Sequence, residues 1–132
     1  ETPVRLGGNI ALLAYDRVET ERFAPGAVVP VYPFWRVDGI VPSDLRLFTH
    51  LLSDPAVIAV QADTLGVRAD LLRPRDVVIQ ATLLQLPFTI PEGEYILSIG
   101  AYEANRGTRV GVFDGDKLRG DRLFIGTITI GR

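Results

Sequence analysis

The stretch Pro91-Glu92-Gly93-Glu94-Tyr95-Ile96-Leu97-Ser98-Ile99-Gly100-Ala101-Tyr102 decides the fold class. From Glu94 onward Tyr95, Leu97, Ile99 and Ala101 fall on one face, while Ile96, Ser98, Gly100 and Tyr102 fall on the other, which is the two-residue period of a β-strand. Leu86-Pro87 and Pro91 break any continuation from the strand before it. Downstream, Asn105-Arg106-Gly107 turns the chain into a strand over Arg109 to Phe113, and Asp114-Gly115-Asp116 turns it again. Leu123 to Ile130 closes the chain as an alternating strand, with Leu123, Ile125, Thr127 and Thr129 opposed to Phe124, Gly126, Ile128 and Ile130.

Upstream, the same signals recur every ten to fifteen residues or so, as in a sandwich or barrel. Ile10 to Tyr15 is the first strand; a polar loop from Asp16 to Phe23 and a Pro25-Gly26 turn lead to a second, Val28 to Val37, which holds the only tryptophan, Trp35. Pro33 interrupts that strand and cannot donate to a ladder, so it belongs at an edge, a bulge or a sheet switch. Leu45 to Leu52 is readable two ways. Ser43 is a possible helix cap and Leu45, Phe48, Leu51 and Leu52 have helical spacing, yet Ser53-Asp54-Pro55 followed by the β-branched Val57 to Gln61 makes a hairpin the economical reading. Val77 to Leu84, rich in Val, Ile and Thr, is expected to be a central strand. The expected count is seven or eight strands in one all-β domain.

At 132 residues with 47% hydrophobic and 23% charged residues, the chain is long and apolar enough for one packed core. A net charge of −2 gives no extended basic field, which argues against nucleic acid as a partner. No apolar run nears the roughly 20 residues that span a bilayer, so direct membrane insertion is not expected of this stretch. It begins at Glu1 and contains no methionine, which implies a piece of a longer or processed protein.

Catalytic chemistry finds little to work with. His50 is the only histidine and there is no cysteine, so clustered imidazole and thiolate metal sites are excluded, and no cofactor or metal is expected. Ser43, Ser53 and Ser98 are not placed as activated nucleophiles, and His50 reads as a partly buried structural residue of a strand. Asp16, Asp54, Asp76, Glu92 and Glu94 sit at turns or strand ends, where carboxylates cap backbone. Asp114, Asp116 and Asp121 loosely suit a weak calcium site but lack EF-hand spacing, and Arg119-Gly120-Asp121 is a charged turn. Trp35 is expected in the core between sheets. Tyr32 and Phe34 alternate away from Trp35 and, with Tyr15 and Tyr102, form the candidate binding set, an aromatic platform able to stack on sugar rings.

Several segments in order resemble a β-sandwich domain that follows the membrane-embedded part of bacterial glycosyltransferases of the protein-mannosyltransferase and aminoarabinose-transferase type. They are Ile10 to Asp16, Pro25-Gly26, Phe34-Trp35, Phe48-Thr49-His50-Leu51-Leu52-Ser53-Asp54, Gln61-Ala62-Asp63 and Pro91 to Tyr102. The resemblance implies that Leu45 to Leu52 is a strand and that the fold is an immunoglobulin-like antiparallel β-sandwich. It further implies an extracytoplasmic, non-catalytic accessory domain whose partner is the membrane-embedded glycosyltransferase region of its own parent chain, with a glycan as a further ligand. The Pro-x-Gly-x-Tyr spacing at Tyr95 resembles the tyrosine corner of such sandwiches. Two departures stand out: Pro33 occupies a usual aliphatic position, and Leu72-Arg73-Pro74-Arg75-Asp76 replaces a usual Trp-x-Pro-Gly-Glu.

Overall fold

Alternating strands with one apolar face can bury it only against another sheet. The computed structural model, which describes residues 4–7, 10–17, 22–54, 57–63, 71–114 and 117–131 without the side chains of 15–17 and 63, is such a two-sheet sandwich. Thirteen strand segments lie among the described residues. In chain order they are β1 (Arg5–Leu6), β2 (Ile10–Arg17), β3 (Arg22–Phe23), β4 (Val28–Val37), β5 (Leu45–Asp54), β6 (Val57–Asp63), β7 (Val77–Ile79), β8 (Thr82–Gln85), β9 (Gly93–Glu103), β10 (Thr108–Arg109), β11 (Val112–Asp114), β12 (Lys117–Gly120) and β13 (Leu123–Ile130).

The first sheet runs β12-β11-β1-β2-β4-β7, with β8 also paired to β4; the second runs β3-β13-β9-β5-β6, with β10 paired to β9. Among the described residues all pairings are antiparallel except that of β3 with β13, which is parallel, so the second sheet is mixed rather than wholly antiparallel as expected. Val29, Val31, Trp35 and Val37 of β4 meet Leu45, Leu47 and Leu51 of β5 and Tyr95, Leu97 and Ile99 of β9 in one core. Leu45 to Leu52 is strand throughout. A helix there would have exposed part of that apolar run, whereas pairing with both β6 and β9 buries it.

Three expectations change for physical reasons. Val77 to Leu84 keeps a single inward row, with Val78, Gln80, Thr82 and Leu84 buried, but its ladder divides into β7 and β8, and both pair with β4 at the end of the first sheet rather than in its centre as expected. The division lies opposite Pro33, which accepts from the Gln80 N–H at 2.9 Å and has no N–H to return. Pro33 is thus inside a central strand at a ladder break. Arg109 to Phe113 is not one strand, because β10 belongs to the second sheet and β11 to the first; the chain changes sheets at Val110-Gly111. The alternation expected for Leu123 to Ile130 slips at a bulge between Phe124 and Gly126, so Ile125 shares the core with Ile128 and Ile130.

Turn chemistry fixes the connections. At Pro25-Gly26 the Ala27 N–H donates to Ala24 O at 3.1 Å and Gly26 has φ 85°, a type II turn with proline and glycine in their preferred places. Tyr95 Oη donates to Pro91 O at 2.7 Å, tying the start of β9 to the turn before it.

Candidate functional site

The outward residues of β5 and β9 pair across the second sheet: Arg46 with Tyr102, Phe48 with Gly100, His50 with Ser98 and Leu52 with Ile96. An outward phenylalanine would ordinarily be wet, but Phe48 is only 1% exposed. Gly100 provides the space beneath it, since a Cβ at Gly100 would fall 2.4 Å from Phe48 Cζ. His50 stacks on the ring with centroids 4.3 Å apart and planes 24° off parallel. The Arg109 and Arg122 guanidinium carbons lie 5.5 and 5.9 Å from its centroid, within cation–π range.

Arg109 is placed by the β9–β10 hairpin, directly opposite Tyr102. Arg122 precedes β13 and donates from Nη1 to Ser98 Oγ at 3.2 Å. Asp121 Oδ1 stands 3.7 Å from Arg109 Nη1. Burial holds the Arg122 pKa below its ordinary value, repulsion from Arg109 adds to this, and Asp121 acts in the opposite sense. Beside the stack is a depression of about 260 Å³ lined by Phe48, His50, Tyr102 and Arg109 together with Ile58 and Gln61. These groups can stack on a ring, donate to oxygen and attract negative charge; they do not compose a nucleophile with a base.

Tyr32 and Phe34 point outward on the first sheet, half-buried, while Trp35, next after Phe34, is fully buried. Phe34 pairs with Ile79, Pro30 with Leu83 and Arg36 with Val77, and these three aliphatic partners are 61%, 62% and 56% exposed. The candidate aromatic set therefore divides, with Tyr32 and Phe34 on one sheet and Tyr102 on the other; the Tyr15 side chain lies outside the described residues. Trp35 Nε1 donates to Gln80 Oε1 at 3.1 Å. Gln80 Nε2 and Thr82 Oγ1 each lie 3.5 Å from Thr49 Oγ1, so polar groups of both sheets meet in the core.

Two of the carboxylates named from sequence have partners of their own. Asp114 pairs with Arg119 at 3.7 Å, Asp76 Oδ2 accepts from the Arg73 N–H at 2.9 Å, and Asp116 lies outside the described residues. Among the described residues no three acidic or histidine side chains gather as metal ligands, and no helix is long and apolar enough to cross a membrane. Sequence reasoning missed Arg109 and Arg122, which stand 13 residues apart in chain and meet only because β10 and β13 both flank β9. It also missed Gln80. Searches against family models and curated proteins match nothing to this chain.

Proposed function

We propose that this domain is a non-catalytic accessory module of immunoglobulin-like build, which packs on the membrane-embedded glycosyltransferase region of its own parent chain, outside the cytoplasmic membrane, through the outer face of the first sheet. The observation that carries the reading is the apolar row Val77, Ile79 and Leu83 beside Pro30, Tyr32 and Phe34. The outer face of an antiparallel sheet in solvent is normally polar, and a contiguous apolar patch there is the mark of a surface that another body covers. The Tyr95–Pro91 hydrogen bond supports the immunoglobulin-like build. The ordered segments that resemble transferase-associated sandwiches support the partner. Sequencing the reading frame upstream of Glu1 tests this: several membrane-spanning helices are expected, and a parent with none would overturn the proposal.

A second reading, a carbohydrate-binding module, is favoured by one observation. Tyr102 lines a depression that also offers the hydrogen-bonding Gln61 and Arg109. Titration against a neutral glycan panel tests it, with saturable shifts at Tyr102 expected and none anywhere contradicting it.

A further inference from the structure

Two guanidiniums crowd one phenyl ring in a chain whose overall charge is −2. General attraction for anions is therefore absent, and any retention of one here must be local. Stacking on Phe48 and the bond to Ser98 hold both planar groups in place, so few rotamers are lost when a ligand arrives. At 3.7 Å Asp121 offsets charge without occupying the Arg109 N–H donors, because that distance exceeds a hydrogen bond. The adjoining depression of about 260 Å³, lined by Phe48, Tyr102 and Arg109 among others, has room for a single ring.

We propose that Arg109 and Arg122 form a binding site for the oxyanion of a small acidic ligand, a carboxylate or phosphoryl group, with the ligand's body seated between Tyr102, Gln61 and Ile58. Guanidinium forks match such oxygens two by two, which neither a lysine nor a lone hydroxyl can do. The site is independent of the packing face, which lies on the other sheet.

The test is a two-dimensional NMR titration of the chain at constant ionic strength with inorganic phosphate, glucuronate and, as control, chloride. Saturable shifts confined to the Tyr102–Arg109 hairpin, Arg122, Ser98 and the His50 ring are expected from phosphate or glucuronate and not from chloride. Saturation by phosphate alone identifies a phosphoryl ligand, and by glucuronate alone a carboxylate. Arg109→Gln and Arg122→Gln should each weaken binding about tenfold or more, and Arg122→Lys by less. If a glutamine variant fails to fold, the wild-type shift map decides. Shifts that are linear, match chloride, lie elsewhere or persist unchanged in a folded glutamine variant overturn the site.

Discussion

Trp35 and Gln80 are joined by a 3.1 Å hydrogen bond in the interior of the sandwich, the indole donating and the amide oxygen accepting, with both residues almost fully buried. A lone buried N–H costs more than the bond contributes, so the pair must be considered together. Gln80→Leu leaves the indole N–H unsatisfied and should destabilise by about 1–3 kcal/mol. Trp35→Phe strands the amide and leaves a void, for about 2–4 kcal/mol. The double variant should cost clearly less than the sum, which urea denaturation of all four proteins measures.

Arg75 occupies a left-handed conformation, φ 78°, in the turn where Asp76 N–H donates to Arg73 O at 3.0 Å. Pro74 takes the second place of that turn and Arg75 the third, which favours glycine. An L-residue there costs about 1–2 kcal/mol, while glycine's greater unfolded freedom takes back about 0.4–1. Arg75→Gly should therefore raise stability by roughly 0.5–1 kcal/mol, seen as a higher melting temperature.

Asp38 receives Arg36 through Nε at 2.6 Å and Nη2 at 3.1 Å, and also Arg5. The Arg36 hydrogen bonds hold its carboxyl below the usual range, outweighing the opposing effect of burial, and the charges of Arg36 and Arg5 add to the lowering. A depressed folded pKa means the contribution is present above the unfolded value, about 3.9, and is lost as pH falls through the folded one. Asp38→Asn should be less stable than wild type at pH 7, and the difference should close on acidification below about pH 4. A gap in urea midpoint that stays constant from pH 7 to pH 2 would count against this pairing.

Gly100 lies under Phe48, and its missing Cβ is what lets the ring lie flat. Gly100→Ala should force the ring off its seat at a cost of about 1–3 kcal/mol. It should also move the His50 ring resonances, because His50 stacks on that ring. Proton spectra of the variant check both, and unchanged His50 shifts would contradict the packing described.

The alternation of Glu94 to Tyr102 was readable because every inward residue is apolar and the period is unbroken, and β9 follows it. The division at Gln80 was not readable within its own segment, since its cause is Pro33 on the neighbouring strand. The bulge before Gly126 hid for a similar reason: an extra residue shifts phase without changing composition. Tyr32 and Phe34 stood out by alternating away from Trp35. Val77, Ile79 and Leu83 did not, because an apolar run suits a strand buried on both faces as well as one exposed on a single face. Arg109 and Arg122 carry no local signal, as their meeting depends on which strands flank β9.

The most direct test of the packing face is site-specific photocrosslinking in the parent chain within its native membrane, with the crosslinker at Ile79 or, as control, at Leu118 of β12. These residues are 61% and 63% exposed and lie at opposite ends of the same sheet. The proposal predicts that Ile79 crosslinks to a membrane-embedded segment of the parent and Leu118 does not; equal yields from both, or none from Ile79, would contradict it.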